Sequence, residues 1–256
     1  KVIEKCDIEQ DIVIYADSPV IDFNTVIDWT ERHKGMRVYF PADIKSQFAA
    51  YEVGFGTFMR PAKQNTSFDK SRFEVNAHKF ADLSEGDYGV ALINDCKYAH
   101  SCEDNVLGLT LLRGTTSPDE FADLGTHEIN YAFYPHKGDW RTASVARKGH
   151  EFNNKPVVWN VEESFGADLA GKSLVSVNSE NIIIDTVKPA EDGNGFVIRA
   201  YECNGCRGKA EFALCMDGAK VTPVDLIENS VGESVNGNTF SVAYGPYEIL
   251  SYRVEL

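Results

Sequence analysis

Many of the side chains that could do chemistry lie within Arg60–His100, which reads RPAKQNTSFDKSRFEVNAHKFADLSEGDYGVALINDCKYAH. Two carboxylates facing each other across a cleft can cleave a glycosidic bond, and histidines can bind metal ions or move protons. Polar and apolar residues alternate along the same stretch as they do in a β-strand. Antiparallel strands carry polar side chains on one face without any catalytic role. The residue types alone therefore leave an active site and a structural scaffold both open.

Catalytic motifs with a defined spacing are missing from the sequence. It has no G-x-S-x-G nucleophile elbow, no H-E-x-x-H pair and no glycine-rich phosphate loop. Six histidines are scattered without metal-ligand spacing: His33, His78, His100, His127, His136 and His150. We therefore predict neither a catalytic residue nor a metal site in this chain.

The six cysteines are too few for a disulfide framework in a chain of 256 residues. Cys203 and Cys206 form C-N-G-C, a spacing that binds zinc only when a second ligand pair exists. Only Cys215 lies nearby, so we interpret the segment as a β-hairpin with a tight turn at Asn204-Gly205. Unpaired cysteines favour a reducing interior, and we expect a cytoplasmic location.

The charge balance argues against several partners. A formal net charge of −14 would repel nucleic acid and anionic membrane surfaces. No apolar run approaches the roughly 20 residues that a membrane-spanning helix needs. We therefore expect no nucleic-acid partner and no membrane span.

The elements that must position these residues are predicted to be strands. Period-2 patterning with turn residues at short intervals recurs along the chain, and amphipathic helices are missing. Ser71–Leu83 is predicted as one strand, and only Ser117–Gly125 favours a short helical turn, with Ser117 as its cap. This pattern is typical of an all-β sandwich protein. A composition change near residues 160–172 predicts two domains, 1–162 and 163–256.

Four long blocks resemble glycoside hydrolase family 38 α-mannosidases, in the cytosolic and bacterial branch. Arg60–Tyr98 resembles its R-P-x-x-x-N-T-S-W-D, R-F-E-V-x-A-H and D-L-S-E-x-x-Y-G motifs. DWTERHKGMRVYFPADI, Leu111–Trp140 and VIRAYECNGCRGKAEF are similar to three further segments of that branch. The sequence departs from the pattern at Phe68, where tryptophan is usual, and at Ala99, where glycine is usual.

The resemblance implies a definite architecture and activity. Residues 1–162 would form part of a large galactose-mutarotase-like antiparallel sandwich, and residues 163–256 a smaller terminal β-sandwich. Whole enzymes of the family carry zinc and an aspartate nucleophile in an N-terminal barrel, whose motifs are not found here. The chain would therefore be a non-catalytic portion that supports the barrel of the same polypeptide, and the substrate would be an α-mannoside oligosaccharide.

Two groups of residues follow from this interpretation. We expect a structural charge network of cross-strand pairs, formed by Arg60, Asp69, Arg72 and Glu74. In the family the loop after the strand ending LINDCKY faces the barrel. This implies a substrate-cleft rim formed by Asn94, Asp95, Lys97 and Tyr98.

Two other functions remain open at this point. A stand-alone carbohydrate-binding module would need an exposed aromatic platform, for which Trp29, Trp140 and Trp159 are the candidates. A self-sufficient hydrolase is disfavoured by the missing motifs. If the chain is one part of a larger enzyme, we expect an exposed apolar patch and possible homo-oligomers formed through it.

Overall fold

The computed structural model describes residues 6–160 and 171–256 and divides the chain into two compact units, Lys1–Lys155 and Pro156–Leu256. The domain boundary predicted from the sequence, between residues 162 and 163, lies outside the described residues. Both units consist mainly of antiparallel strands. The prediction of an all-β fold is therefore confirmed.

The first unit contains eleven of the described strands and two short helices. The strands are β1 (Cys6–Ile14), β2 (Ile21–Trp29), β3 (Gly35–Pro41), β4 (Phe48–Val53), β5 (Gly56–Pro61), β6 (Val75–Asn76), β7 (Phe80–Ser84), β8 (Tyr88–Asn94), β9 (Ala99–Glu103), β10 (Val106–Arg113) and β11 (Gly125–Lys137). The helices are α1 (Ser67–Ser71) and α2 (Val145–Asn153). A seven-stranded sheet has the order β1-β2-β11-β8-β7-β4-β5, and a four-stranded sheet has the order β3-β10-β9-β6.

The core of this unit lies between the two sheets. Tyr51, Leu83 and Leu92 come from the seven-stranded sheet, and Leu107 and Leu109 come from the four-stranded sheet. All five side chains are almost fully buried. Alternation along each strand turns every second side chain towards this layer, so the unit is a β-sandwich.

Helix α2 packs on the outer face of the seven-stranded sheet, against β7 and β8. The sequence patterning missed this helix because Gly149 interrupts it. A Cβ at Gly149 would lie 3.2 Å from Lys79 Cβ and 3.5 Å from Phe80 Cδ1. Glycine therefore allows the helix to approach the sheet closely, which covers β8 on both faces.

Two other local predictions are wrong. The segment Ser71–Leu83 is not one strand, because β6 belongs to the four-stranded sheet and β7 to the seven-stranded sheet. The crossing occurs at Ala77–Lys79, where His78 N donates to Glu52 O at 2.8 Å. Residues 117–124 form a bend and a turn rather than a helix, and Gly125 already belongs to β11. Polar and apolar alternation does not reveal that a chain has changed sheets.

The second unit is a smaller β-sandwich. Its strands are β12 (Val175–Val177), β13 (Ile182–Pro189), β14 (Phe196–Glu202), β15 (Gly208–Leu214), β16 (Lys220–Pro223), β17 (Val235–Asn236), β18 (Thr239–Tyr244) and β19 (Ile249–Glu255). The sheets have the orders β12-β15-β18 and β13-β14-β19-β16-β17. Phe212 and Phe240 stack at 5.0 Å between ring centroids, and Tyr252 from the other sheet packs 4.9 Å from Phe240. These aromatic contacts join the two sheets.

The C-N-G-C segment is not the predicted hairpin, because β14 and β15 lie in different sheets. The Glu202 carboxylate accepts hydrogen bonds from the backbone N–H groups of Asn204 at 3.0 Å, Gly205 at 2.8 Å and Tyr247 at 2.9 Å. Gly205 has a φ of +72°, which suits a turn of this kind. The buried carboxylate thus satisfies the backbone where the chain passes from one sheet to the other.

Candidate functional site

The loop that the resemblance implied as a cleft rim joins the two sheets of the first unit. It follows β8, whose residues Gly89–Asn94 are all buried, and leads into β9 of the four-stranded sheet. Strand β8 is central, with β7 on one side and β11 on the other. The loop therefore starts from one of the most constrained positions in the unit.

The buried side chain of Asn94 stabilises this loop by hydrogen bonds. Its side chain is fully buried, and its Nδ2 donates to His78 O and to His100 Nε2, both at 2.9 Å. Its Oδ1 accepts from the backbone N–H of Lys97 at 2.8 Å. With its donors and acceptor engaged and its side chain buried, Asn94 holds the loop in place rather than facing solvent.

His100 receives one of these bonds deep in the protein. Burial lowers the pKa of His100 to about 3, because a charged imidazole would lose its hydration there. The ring is therefore neutral at physiological pH, with Nε2 free to accept from Asn94. A proton-transfer role is excluded for this histidine at neutral pH, and its contribution is structural.

Asp95 fixes the other side of the loop to β11. Its Oδ2 accepts from Asn130 Nδ2 at 2.8 Å, and its Oδ1 accepts from Asn130 N at 3.3 Å. The neighbouring Cys96 is exposed, yet desolvation and the nearby Asp95 carboxylate raise its thiol pKa to about 12. Cys96 is therefore a neutral thiol, which makes it a poor nucleophile.

Lys97 and Tyr98 carry the polar groups that the protein itself leaves available. In the described part of the chain, neither the Lys97 ammonium nor the Tyr98 hydroxyl has a hydrogen-bond partner. The Tyr98 ring is 52% exposed and packs on His78 with ring centroids 5.4 Å apart. Of the four implied rim residues, Asn94 and Asp95 thus organise the loop, while the Lys97 ammonium and the Tyr98 hydroxyl are not used by the described part of the fold.

Sequence reasoning did not identify Glu52, which anchors the segment beneath the loop. The buried Glu52 carboxylate accepts from Lys79 Nζ at 3.0 Å and from Lys79 N at 2.9 Å. Asn130 and Asn153 were also missed; Asn153 Nδ2 donates to Asn94 O at 3.0 Å. A polar residue inside an otherwise apolar strand, such as Glu52 in β4, was the available signal.

The four residues of the expected charge network do not form one set of ion pairs. Asp69 caps α1, where its carboxylate accepts from Thr66 N at 3.0 Å and Thr66 Oγ1 at 2.7 Å. Glu74 pairs instead with Arg37, at 3.3 Å, and accepts from Thr110 Oγ1. Arg60, Asp69 and Arg72 line one small cavity, but Glu74 is not among its lining residues.

The three tryptophans do not form a common exposed platform. Trp29 and Trp140 are buried in the first unit at 0% and 2% exposure, and Trp159 is 79% exposed. Two of the three aromatic residues that a carbohydrate-binding module would present are thus core residues. This placement disfavours a stand-alone sugar-binding function built on them.

Within residues 6–160 and 171–256, no three His, Cys, Asp or Glu side chains come together as a metal-binding group. The described residues therefore do not fit the zinc that the resemblance implied for a whole enzyme. None of the described helices is long and apolar enough to span a membrane.

Two family models match this chain. The Glycosyl hydrolases family 38 C-terminal domain matches residues 2–121, and the Glycosyl hydrolases family 38 C-terminal beta sandwich domain matches residues 181–252. The chain therefore belongs to the C-terminal region of glycoside hydrolase family 38, and the resemblance found in the sequence is confirmed.

Individual relatives agree with this assignment. Alpha-mannosidase G of Dictyostelium discoideum is 40% identical over 253 residues, which are 96% of this chain and 23% of that protein. Human alpha-mannosidase 2C1 is 36% identical over 95% of this chain and 24% of that protein. The chain spans about a quarter of the length of these curated relatives.

The fold also matches a solved structure. The crystal structure of an alpha-mannosidase from Enterococcus faecalis V583 aligns with a TM-score of 0.77, over 96% of this chain and 28% of that chain. Sequence identity is 16%, so this likeness shows the shared fold alone.

Proposed function

We propose that this chain is the non-catalytic C-terminal portion of an α-mannosidase that hydrolyses terminal α-mannosides in oligosaccharides. The observation that carries the proposal is the match to proteins named alpha-mannosidases over 95% or more of the chain. Those relatives are about four times as long. In this proposal a catalytic barrel N-terminal to the chain holds the zinc and the nucleophile.

The contribution of this chain would be to support the barrel and to complete the rim of its substrate cleft. Four residues have this role, two by positioning the loop and two by contact. Asn94 and Asp95 hold the loop, and Lys97 and Tyr98 reach the sugar. An exposed tyrosine ring and an ammonium group without a partner suit a hydroxyl-rich ligand, because one packs on C–H groups and the other donates hydrogen bonds.

We also propose a cytoplasmic location. All six cysteines lie in the described residues and none of them forms a disulfide, which suits a reducing compartment. The relatives do not specify the compartment in their names.

The rim role is tested by kinetics on the longer polypeptide of which this chain forms the C-terminal part. Tyr98→Ala and Asp95→Ala should each raise KM or lower kcat several-fold on an aryl α-mannoside, because the first removes the ring and the second releases the loop from Asn130. Tyr15→Ala, which truncates an exposed tyrosine elsewhere in the first unit, is the matched control.

Unfolding of each variant must be measured beside its kinetics. Unchanged kinetics at unchanged stability for both Tyr98→Ala and Asp95→Ala would overturn the rim role. Loss of activity in the Tyr15→Ala control to the same extent would show a general loss of the fold instead.

A further inference from the structure

The side of the first sandwich where β5 and β9 meet contains a cavity that no function above uses. It measures about 40 Å³ and is lined by Tyr51, Arg60, Pro61, Gln64, Asp69, Arg72, Val75, Ser101 and Cys102. Helix α1 contributes Asp69 to the lining, and a capping box between Thr66 and Asp69 fixes the first turn of this helix. A small space lined by two arginines is a site with a strong preference for anions.

Arg60 is the distinctive side chain in this cavity. Four arginines of the described residues have a buried Nε atom without a hydrogen-bond partner: Arg37, Arg60, Arg199 and Arg253. Three of them donate through Nη2 to other groups, namely Ser101 Oγ, Leu226 O and Asp192. Among the described residues, Arg60 alone of the four makes no hydrogen bond and no ion pair.

Among the described residues, the contacts recorded for the Arg60 guanidinium are with two aromatic rings. Its Cζ lies 5.9 Å from the centroid of Tyr51 and 5.7 Å from that of Phe58. Such contacts compensate only part of the hydration that a half-buried cation loses. A complementary anion would supply the missing hydrogen bonds, which is the usual solution for a buried charge.

The other polar groups of the cavity do not supply the hydrogen-bond acceptor that the Arg60 guanidinium lacks. The Asp69 carboxylate caps α1 through Thr66 and also interacts electrostatically with the Arg72 guanidinium, so only part of the positive charge of the two arginines is balanced within the cavity. The Gln64 amide and the Arg72 guanidinium make no hydrogen bonds with any described residue, and Arg72 rests on the Phe68 ring at 4.1 Å. Two guanidinium groups and one amide can therefore turn donors towards the same small volume.

The size of the cavity selects the shape of the anion. A water-sized group needs at least roughly 10–15 Å³, so 40 Å³ accommodates about three non-hydrogen atoms. A carboxylate has three such atoms in one plane and matches the fork of a guanidinium through two parallel hydrogen bonds. We propose that Arg60, Arg72 and Gln64 form a carboxylate-binding site, into which the carboxylate enters while the rest of the ligand stays outside.

Acetate is the simplest probe of this site. We expect a ¹H–¹⁵N NMR titration of the 256-residue chain to show a saturable shift of the Arg60 Nε–H resonance. This resonance is assigned to Arg60 because it is absent from the spectrum of the Arg60→Lys variant. Ionic strength is held constant with sodium chloride. Arg60→Gln should weaken acetate binding at least tenfold, as followed by calorimetry, whereas Lys63→Gln, which removes an exposed charge nearby, should leave it unchanged.

The comparison ligands decide between specific and general anion binding. Neutral mannose should not shift the resonance, and sulfate, which is larger and tetrahedral, should bind at least tenfold more weakly than acetate. A linear, non-saturating response, or equal binding of acetate and sulfate, would overturn the proposal. Undiminished acetate binding by a folded Arg60→Gln variant would overturn it as well.

The same titration on the longer polypeptide identifies the source of the carboxylate. If acetate binds there too, the site takes a free small carboxylate. If only the 256-residue chain binds acetate, an acidic side chain of the preceding polypeptide occupies the cavity. Neither result depends on whether the longer polypeptide hydrolyses mannosides, so this proposal and the proposed function fail independently.

Discussion

At the scale of single residues, the polar groups of the loop between β8 and β9 divide into those that the fold uses and those that it leaves available. Asn94 and His100 are fully buried and bonded to each other. Tyr98 lies a few residues away in sequence and is half exposed. A list of chemically capable residues within Arg60–His100 could not separate these roles, because burial depends on which sheets the flanking strands join.

The buried His100 gives a prediction for the pH dependence of stability. Its pKa is about 3 in the folded chain and about 6.5 when unfolded, so between these values the unfolded chain holds more protons. Stability should therefore fall as pH decreases below about 6.5, by up to roughly 1.4 kcal/mol per pH unit from this group. Urea unfolding at pH 7 and pH 5 measures the change.

His100→Gln is the matched variant, because a glutamine oxygen can still accept from Asn94. We expect its stability to fall less than that of the original chain between pH 7 and pH 5, by about 1 kcal/mol or more. Burial raises the pKa of Asp82, which acts in the opposite direction but is common to both proteins. Identical pH dependence of the two proteins would contradict a neutral, buried His100.

At the scale of elements, the close packing of neighbouring strands explains residue types that the sequence pattern could not explain. Gly89 in β8 lies directly opposite His136 in β11, and His136 Nε2 is 2.7 Å from Asp82 Oδ2 in a fully buried pair. A Cβ at Gly89 would overlap the His136 ring and lie 2.6 Å from Ser84 Oγ. The glycine thus makes room for a buried polar pair between three adjacent strands.

Gly89→Ala should destabilise the chain by about 1–3 kcal/mol, because the added methyl group must displace His136 or Ser84. Gly86→Ala is the control, since no atom lies within 4 Å of a Cβ at that position, and its effect should stay within about 0.5 kcal/mol. Urea unfolding of both variants provides the comparison. Equal stabilities would show that the Asp82–His136 pair moves without cost.

The sequence predicted the strands better than their connections. The period-2 alternation predicted an all-β chain, but it did not identify the turn at Gly54, which has a φ of +55°, as the connection that pairs β4 with β5. The change of sheet at Ala77–Lys79 and the helix α2 were not predicted. In both cases non-local contacts with Glu52, Lys79 and Phe80 decide the outcome, and these contacts are not encoded in any short window of sequence.

At the scale of the whole molecule, an apolar strip on β1 is exposed. Ile8, Ile12 and Ile14 of the edge strand β1 are 51%, 59% and 73% exposed. They share a face with Gln10, whose Nε2 donates to the core residue Tyr131 at 2.8 Å. The seven-stranded sheet is wider than the four-stranded sheet that packs on it. At the β1 edge, the core-facing side of the seven-stranded sheet is therefore not covered by the other sheet.

We expect the purified chain to self-associate through this strip at high concentration, because exposed apolar edges favour pairing. The double variant Ile12→Lys, Ile14→Lys should shift light scattering towards the monomer. Ile227→Lys, which replaces an exposed isoleucine in the second unit, should not. A strict monomer before substitution, or association unaffected by the double variant, would contradict a role for the strip.

The proposed division of labour between this chain and a catalytic barrel is tested most directly by the activity of the purified 256-residue chain. Hydrolysis of an aryl α-mannoside should stay at the buffer rate with and without added zinc, because the described residues lack a metal-binding group of three His, Cys, Asp or Glu side chains. The longer polypeptide should hydrolyse the same substrate under the same conditions. Zinc-dependent turnover by the 256-residue chain alone, retained through purification, would contradict the proposal that catalysis lies outside it.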